Sequence, residues 1–192
     1  LKTLWFDDNH LDDFPVVLCS IKSLEELRMS GNQLTFIPQS INALSNLKTL
    51  ALDNNKIEVF PMGILELAHL EHLWLRQNLL QDLPESLSDL KVLQTLSVSS
   101  NQLTSLPTAV YKIATLKNIY ANANDITWVD TELVDMPALE KLNLANNKLT
   151  SVPIAWNDKW GKYDEETGRL AFEEGQQSSV VVTFKGNKLT KQ

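Results

Sequence analysis

The chain reads as an α/β solenoid, with one short parallel strand per repeat on one face and a short helical or 3₁₀ turn on the other. Three observations predict this. A leucine stands at Leu1, Leu24, Leu47, Leu70, Leu93, Leu116 and Leu139, always 23 residues apart. An asparagine follows eight residues after each: Asn9, Asn32, Asn55, Asn78, Asn101, Asn124 and Asn147. Pro15, Pro38, Pro61, Pro84, Pro107 and Pro153 follow the second apolar cluster in every unit but the sixth. Repeats of this length cannot bury an apolar face alone, so they stack, each on its neighbours.

In register the units read LxxLxLxxNxLxxLPxxLxxLxx. The second unit shows it best, with Leu24, Leu27, Met29, Asn32, Leu34, Ile37, Pro38, Ile41 and Leu44. The LxxLxL stretch ends in the two-residue alternation of a strand and sets Leu27 and Met29 on one face. The asparagine comes where the strand ends and the chain turns inward. Its amide can donate to and accept from the backbone of neighbouring turns, so an interior asparagine ladder satisfies groups that stacking alone would orphan. The prolines suit the first turn of a short outer segment. Apolar residues three and six places on, such as Leu87 and Leu90, aim that segment back at the core.

The sixth unit departs from the pattern. Asp130 replaces the proline and is read as a cap for the outer turn. Ala121 replaces a large core residue, with Tyr120 or Trp128 expected to offset the lost volume.

The motif resembles the typical leucine-rich repeat in its 23-residue, LPxxL-containing form, over residues 1–153. The subtype is similar to the intracellular Ras-group repeats of scribble-like scaffold proteins. The resemblance implies a horseshoe segment with about eight parallel strands on the concave face and short helical or 3₁₀ turns on the convex face.

After Pro153 the period breaks, and Val182, Phe184, Asn187 and Leu189 then restore the strand signature. We therefore expect a single domain over residues 1–192, with an insertion at about 154–178 and an eighth strand at about 179–189. Residues 154–163 read as helical, with Trp156 and Trp160 one turn apart. The stretch from Tyr163 through Gly168 to Leu170 reads as a tight turn or hairpin. The insertion is either an aromatic lid on the outer side or an acidic docking loop carrying Asp164, Glu165, Glu166, Glu173 and Glu174. At the other end, Leu1, Leu4, Phe6, Leu11 and Phe14 are core positions with no unit before them. This suggests a piece of a longer protein, with self-association through that end an expectation.

Composition narrows the function. A 192-residue chain that is 43% apolar can bury a continuous core. No apolar run is long enough to span a membrane, no signal peptide is visible and no asparagine opens an N-x-Ser/Thr sequon. The lone Cys19 excludes an internal disulfide framework and reads as a small apolar filler. These features point to a cytoplasmic compartment. The net charge of −7 argues against nucleic-acid binding, which needs a basic face.

Strand residues between the core leucines face the concave side. The third place of each unit includes His72, the fifth Trp5, Arg28, Trp74 and Tyr120, and the seventh Asp53 and Arg76. Stacking does not require a tryptophan there, and Trp, Tyr and Arg dominate binding hot spots. His72, Trp74 and Arg76 form one row, with Asp53, Arg28, Tyr120 and Trp5 around it. The same residues admit a plainer account. Trp74 and Tyr120 would then pack across Ala51 and Ser97, Asp53 would pair with Arg76, and Trp5 would lie over Arg28 as a cation–π contact.

Catalytic signatures are missing: there is no GxxxxGK[ST], GxGxxG, HExxH or GxSxG. His69 and His72 lie on different elements, against a metal pair. The reading is a non-catalytic module, without cofactor or metal, that binds a protein partner on its concave face. The alternatives are the recognition segment of a larger signalling enzyme (kinase, GTPase, phosphatase or cyclase) and a pathogen effector.

Overall fold

The computed structural model describes residues 1–171 and 180–189. Strands β1 to β7 cover Thr3–Trp5, Glu26–Arg28, Thr49–Ala51, His72–Trp74, Thr95–Ser97, Asn118–Tyr120 and Lys141–Asn143. Each pairs in parallel with the next at a 23-residue offset, as Leu27↔Leu50 and Leu50↔Leu73. The strands are short because only one residue of each points inward. Leu27, Leu50, Leu73, Leu96, Ile119 and Leu142 are fully buried, and their flanking residues face out. Backbone pairing runs on past each strand: Leu52 N–H donates to Trp74 O at 2.8 Å and Leu75 N–H to Ser97 O at 2.7 Å.

The asparagines close the inward turns. The Asn55 amide nitrogen donates to Met29 O at 3.0 Å and Leu52 O at 3.1 Å, and its Oδ1 accepts from Leu34 N–H at 3.0 Å. Asn32, Asn78, Asn101, Asn124 and Asn147 repeat this geometry. Asn9, in the first unit, donates only to Phe6 O and Asp7 O and is exposed. Sequence reasoning missed the residue just before each asparagine. At Asp8, Gly31, Asn54, Gln77, Ser100, Ala123, Asn146 and Gly186 the backbone takes positive φ, from +53° to +83°. Glycine occupies only two of these, so the turn is imposed by its neighbours rather than by local freedom.

On the outer side Pro15, Pro38, Pro61, Pro84, Pro107 and Pro153 each sit at the N-cap of a short turn, one residue before the helical φ/ψ begins. The turns are 3₁₀ at Val16–Ser20, Gln39–Ala43, Met62–Glu66, Glu85–Asp89, Thr131–Asp135 and Ile154–Trp156. Thr108–Tyr111 forms α1 and Asn157–Trp160 forms α2. Asp130 caps its turn as its chemistry suggested, with its side chain accepting from Glu132 N–H at 3.0 Å. Trp128 does not offset Ala121, because it is exposed on the outer side while Ala121 is buried.

After β7 the chain makes α2 and then an antiparallel hairpin, β8 (Lys162–Asp164) with β9 (Arg169–Ala171). β10 (Val181–Thr183) pairs in parallel with β7, Val182 opposite Leu142. The sheet order is β1-β2-β3-β4-β5-β6-β7-β10-β9-β8. The helical part of the insertion thus continues the outer stack, but the hairpin joins the sheet edge instead of lying outside. Asp164 Oδ1 holds the hairpin turn by accepting from Glu166 and Thr167 N–H. Trp156, Trp160, Tyr163 and Phe184 pack together beneath it, with Trp156–Trp160 centroids 4.8 Å apart and Tyr163–Phe184 6.2 Å apart. The expected acidic loop residues Glu173 and Glu174, and the expected opening residue Ser179, lie outside the described residues.

Candidate functional site

The concave strand face is polar at most places and aromatic at three, Trp5, Trp74 and Tyr120. Trp74 on β4 and Tyr120 on β6 lean toward each other across Ser97, with ring centroids 6.4 Å apart and planes 19° from parallel. The smaller residue between them makes this possible: Ser97 is buried, as is Thr95 on the same strand. Lys141 Nζ lies 5.3 Å from the far side of the Tyr120 ring, a cation–π contact. Asp53, Trp74, Arg76, Ser97, Ser99, Tyr120 and Asn122 line a shallow recess of about 340 Å³. Four residues singled out by position therefore share one recess: Asp53, Trp74, Arg76 and Tyr120.

Asp53 does not pair with the Arg76 guanidinium. Its Oδ1 accepts from the Arg76 backbone N–H at 2.7 Å. Asp7 does the same for Ser30 N–H at 2.8 Å, so an acid at the seventh place holds the next unit's turn. Burial pushes the Asp53 carboxyl above its ordinary value, against the opposing pull of that N–H and of the Arg76 charge. The Arg76 guanidinium, exposed at the rim, carries no ion pair among the described residues.

The other candidates stand apart. His72 lies on β4 between Thr49 and Thr95 and does not line the recess. Trp5 and Arg28 form a separate cluster at the amino end. The Arg28 guanidinium lies 5.4 Å from the Trp5 ring and its Nε is 2.9 Å from Asp7, while Trp5 Nε1 donates to Glu26 at 3.1 Å. Arg28 is thus held by its neighbours while Arg76 is not.

A charge ladder runs along the second place of the units. Lys2, Glu25 and Lys48 are linked at 2.6 and 2.9 Å, Gln94 donates to Glu71, and Lys117 faces Glu140 at 3.6 Å. The two lysines beside Glu25 hold its carboxyl down at about 2. Among the described residues, no group of three or more His, Cys, Asp or Glu side chains is placed to hold a metal, and no helix is long and apolar enough to cross a membrane. Cys19 is buried, its Sγ 3.5 Å from Ser40 Oγ.

A parallel sheet with one strand per unit, asparagine-closed turns and a variable concave face defines a repeat protein built to present side chains at fixed spacing. A two-copy leucine-rich repeat model matches residues 22–61, and a leucine-rich repeat region model matches residues 62–155. The chain belongs to the leucine-rich repeat family, and its array is the leucine-rich repeat horseshoe. It is similar to a leucine-rich repeat protein of Leptospira interrogans at 34% identity and TM-score 0.84, over 98% of this chain and 44% of that one. It is also similar to the ectodomain of the Arabidopsis thaliana membrane receptor kinase GASSHO1/SCHENGEN3, solved in complex with CASPARIAN STRIP INTEGRITY FACTOR 2. That likeness is at 28% identity and TM-score 0.74, over 82% of this chain and 20% of that one. An internalin of Listeria monocytogenes shares 26% identity at TM-score 0.71, over 78% of this chain and 43% of that one. The chain therefore spans less than half the length of each. No curated protein matches it. Leucine-rich repeat domains are generally non-catalytic modules that mediate protein–protein interaction.

Proposed function

We propose that this array binds a protein partner on its concave face, centred on Trp74, Tyr120 and Arg76. The observation that carries the reading is the recess itself. Two stacked aromatic rings offer a flat apolar platform, and an unpaired guanidinium stands at its rim. Trp and Arg in such a setting are the residues that dominate hot spots. The platform is rigid because it rests on paired strands, so little ordering entropy is lost on binding. Arg76 would take a carboxylate or backbone carbonyl of the partner, and the rings an apolar side chain. His72, Arg28 and Trp5 would contribute only if the partner extends toward the amino end.

The test is affinity capture from native lysate, with the bound proteins identified by mass spectrometry. Wild type is compared with a His72→Ala/Trp74→Ala/Arg76→Ala variant whose fold is checked by circular dichroism. Loss of a specific partner by the folded variant supports the concave site; retention by both proteins refutes it.

A second reading makes the array the recognition part of a longer signalling protein. Its support is the likeness to a receptor-kinase ectodomain, together with the greater length of all three relatives. The open reading frame of the native gene decides this, since a catalytic domain either shares it or does not.

A further inference from the structure

We propose that the outer side of units one to four carries a second docking surface, for a partner-protein segment in which lysine or arginine alternates with large apolar side chains. The thirteenth place of the unit holds Phe36 and Val59 in successive repeats, 68% and 78% exposed. Met62, three places on from Val59, is 50% exposed. Stacking does not require apolar residues at these places. At the thirteenth place the other units carry Asp13, Asp82, Ser105, Ser151 and, in the sixth, Trp128, and at the sixteenth they carry Gln39, Glu85, Thr108 and Thr131 beside Val16 and Ile154. Single exposed apolar residues are ordinary, but neighbouring ones beside a hollow mark an interaction site. The hollow is present: Glu58, Val59, Phe60, Met62, Asp82 and Leu83 line a recess of about 360 Å³.

Charge selects the occupant. No lysine or arginine stands at the twelfth to eighteenth place of any of the seven units. Acids do, including Asp12, Asp13, Glu58, Asp82 and Glu85, all exposed. Glu25, Asp125 and Glu140 have lysine partners, as does Asp135 on the outer turn of unit six, whereas Glu58 and Asp82 at this recess have none among the described residues. The face is thus anionic, open and apolar at once. That combination repels nucleic acid and anionic lipid and attracts a cationic amphipathic chain. The surface is also firm beneath Met62. A Cβ on Gly63 would come within 2.6 Å of the Gln39 carbonyl oxygen, so adjacent outer turns are already in backbone contact.

The test uses three synthetic peptides of equal length: alternating lysine–leucine, lysine–serine and glutamate–leucine. Binding is followed by fluorescence anisotropy at two salt concentrations, below the concentration at which the lysine–leucine peptide self-assembles. The proteins are wild type, Phe36→Ser/Val59→Ser/Met62→Ser, Glu58→Gln/Asp82→Asn and Trp74→Ala, each checked by circular dichroism. The lysine–leucine peptide should bind wild type and Trp74→Ala alike, and at least about tenfold more weakly to the other two variants. Lysine–serine and glutamate–leucine should both bind wild type at least about tenfold more weakly than lysine–leucine. Equal binding of lysine–leucine by the serine variant, or of lysine–serine by wild type, would reduce the effect to diffuse charge and overturn the proposal. A wild-type dimer in sedimentation velocity that the serine variant lacks would make a second copy the occupant, and would overturn it equally. The charge variant keeps the test decisive should the serine variant fail to fold.

Discussion

Between β1 and β7 every unit is closed by the same parts, whereas beyond β7 the chain closes its sheet with different ones. In the array leucine or another apolar side chain fills the core places, and from the second unit on an asparagine ties each turn to the one before. At the carboxyl end Val181 pairs with Lys141, 40 residues back rather than 23, and the intervening chain supplies aromatic rings and an antiparallel hairpin. Asn187 nevertheless repeats the array's bonds, donating to Leu144 O at 2.8 Å and accepting from Leu149 N–H at 3.0 Å. The ladder tolerates a long detour because it needs the neighbouring turn in space, not in sequence. What changes is the filler: at this end Trp156, Trp160 and Phe184 are buried against the core alongside the leucines.

The comparison can be broken at either end. Trp156 is fully buried, packs on Trp160 and Phe184, and donates from Nε1 to Thr131 O at 3.2 Å. Trp156→Ala should cost about 3–5 kcal/mol in urea unfolding, the largest single effect. A loss below about 1 kcal/mol would mean the aromatic closure is an ornament on an array that is stable without it. Asn78→Ala strands Ile57 N–H inside the core and removes one of the two asparagine donors from Leu52 O and from Leu75 O, which keep Asn55 and Asn101. It should cost about 2–4 kcal/mol, while Asn9→Ala, at an exposed turn, should stay within about 1 kcal/mol. Equal costs at the two positions would deny the ladder its role in linking units.

Smaller effects sharpen the picture of the outer stack and the rim. Gly63→Ala pushes a methyl against the Gln39 carbonyl and should cost about 1–3 kcal/mol, read as a lowered melting temperature. No change would show that the outer turns slide freely. The weakest effect is at Glu25, whose carboxyl is held at about 2 by Lys2 and Lys48 against an ordinary 4.5. A depressed acid stabilises the fold above its unfolded value. Its contribution is therefore complete above about pH 4.5 and fades as pH falls toward 2. Glu25→Gln should flatten that slope slightly at low salt and not at all at high salt, because the group is exposed.

Much of this architecture was legible from periodicity. Period-two alternation located all seven array strands, and the eight-residue offset located the asparagines, because both patterns repeat against an invariant register. Asp130 was legible as a cap from its chemistry alone. The hairpin's place at the sheet edge was not, since long-range pairing leaves no local signal. The positive-φ residue was hidden because Gln77, Ser100 and Ala123 are not the types that advertise a left-handed turn. The ion pair that the plainer account gave Asp53 does not form, because position alone does not distinguish the Arg76 guanidinium from its backbone N–H. Phe36, Val59 and Met62 were overlooked, although large apolar residues at variable outer places were a usable signal.

Two exposed-side tryptophans offer the most direct test of the functional account. Trp74 sits in the concave recess and Trp128 on the outer side of unit six. With a captured partner in hand, its affinity should be measured by titration calorimetry against Trp74→Ala and Trp128→Ala. The concave account predicts a loss of about thirtyfold or more for Trp74→Ala, near 2 kcal/mol, and little change for Trp128→Ala. The reverse pattern, or no loss in either, would contradict it.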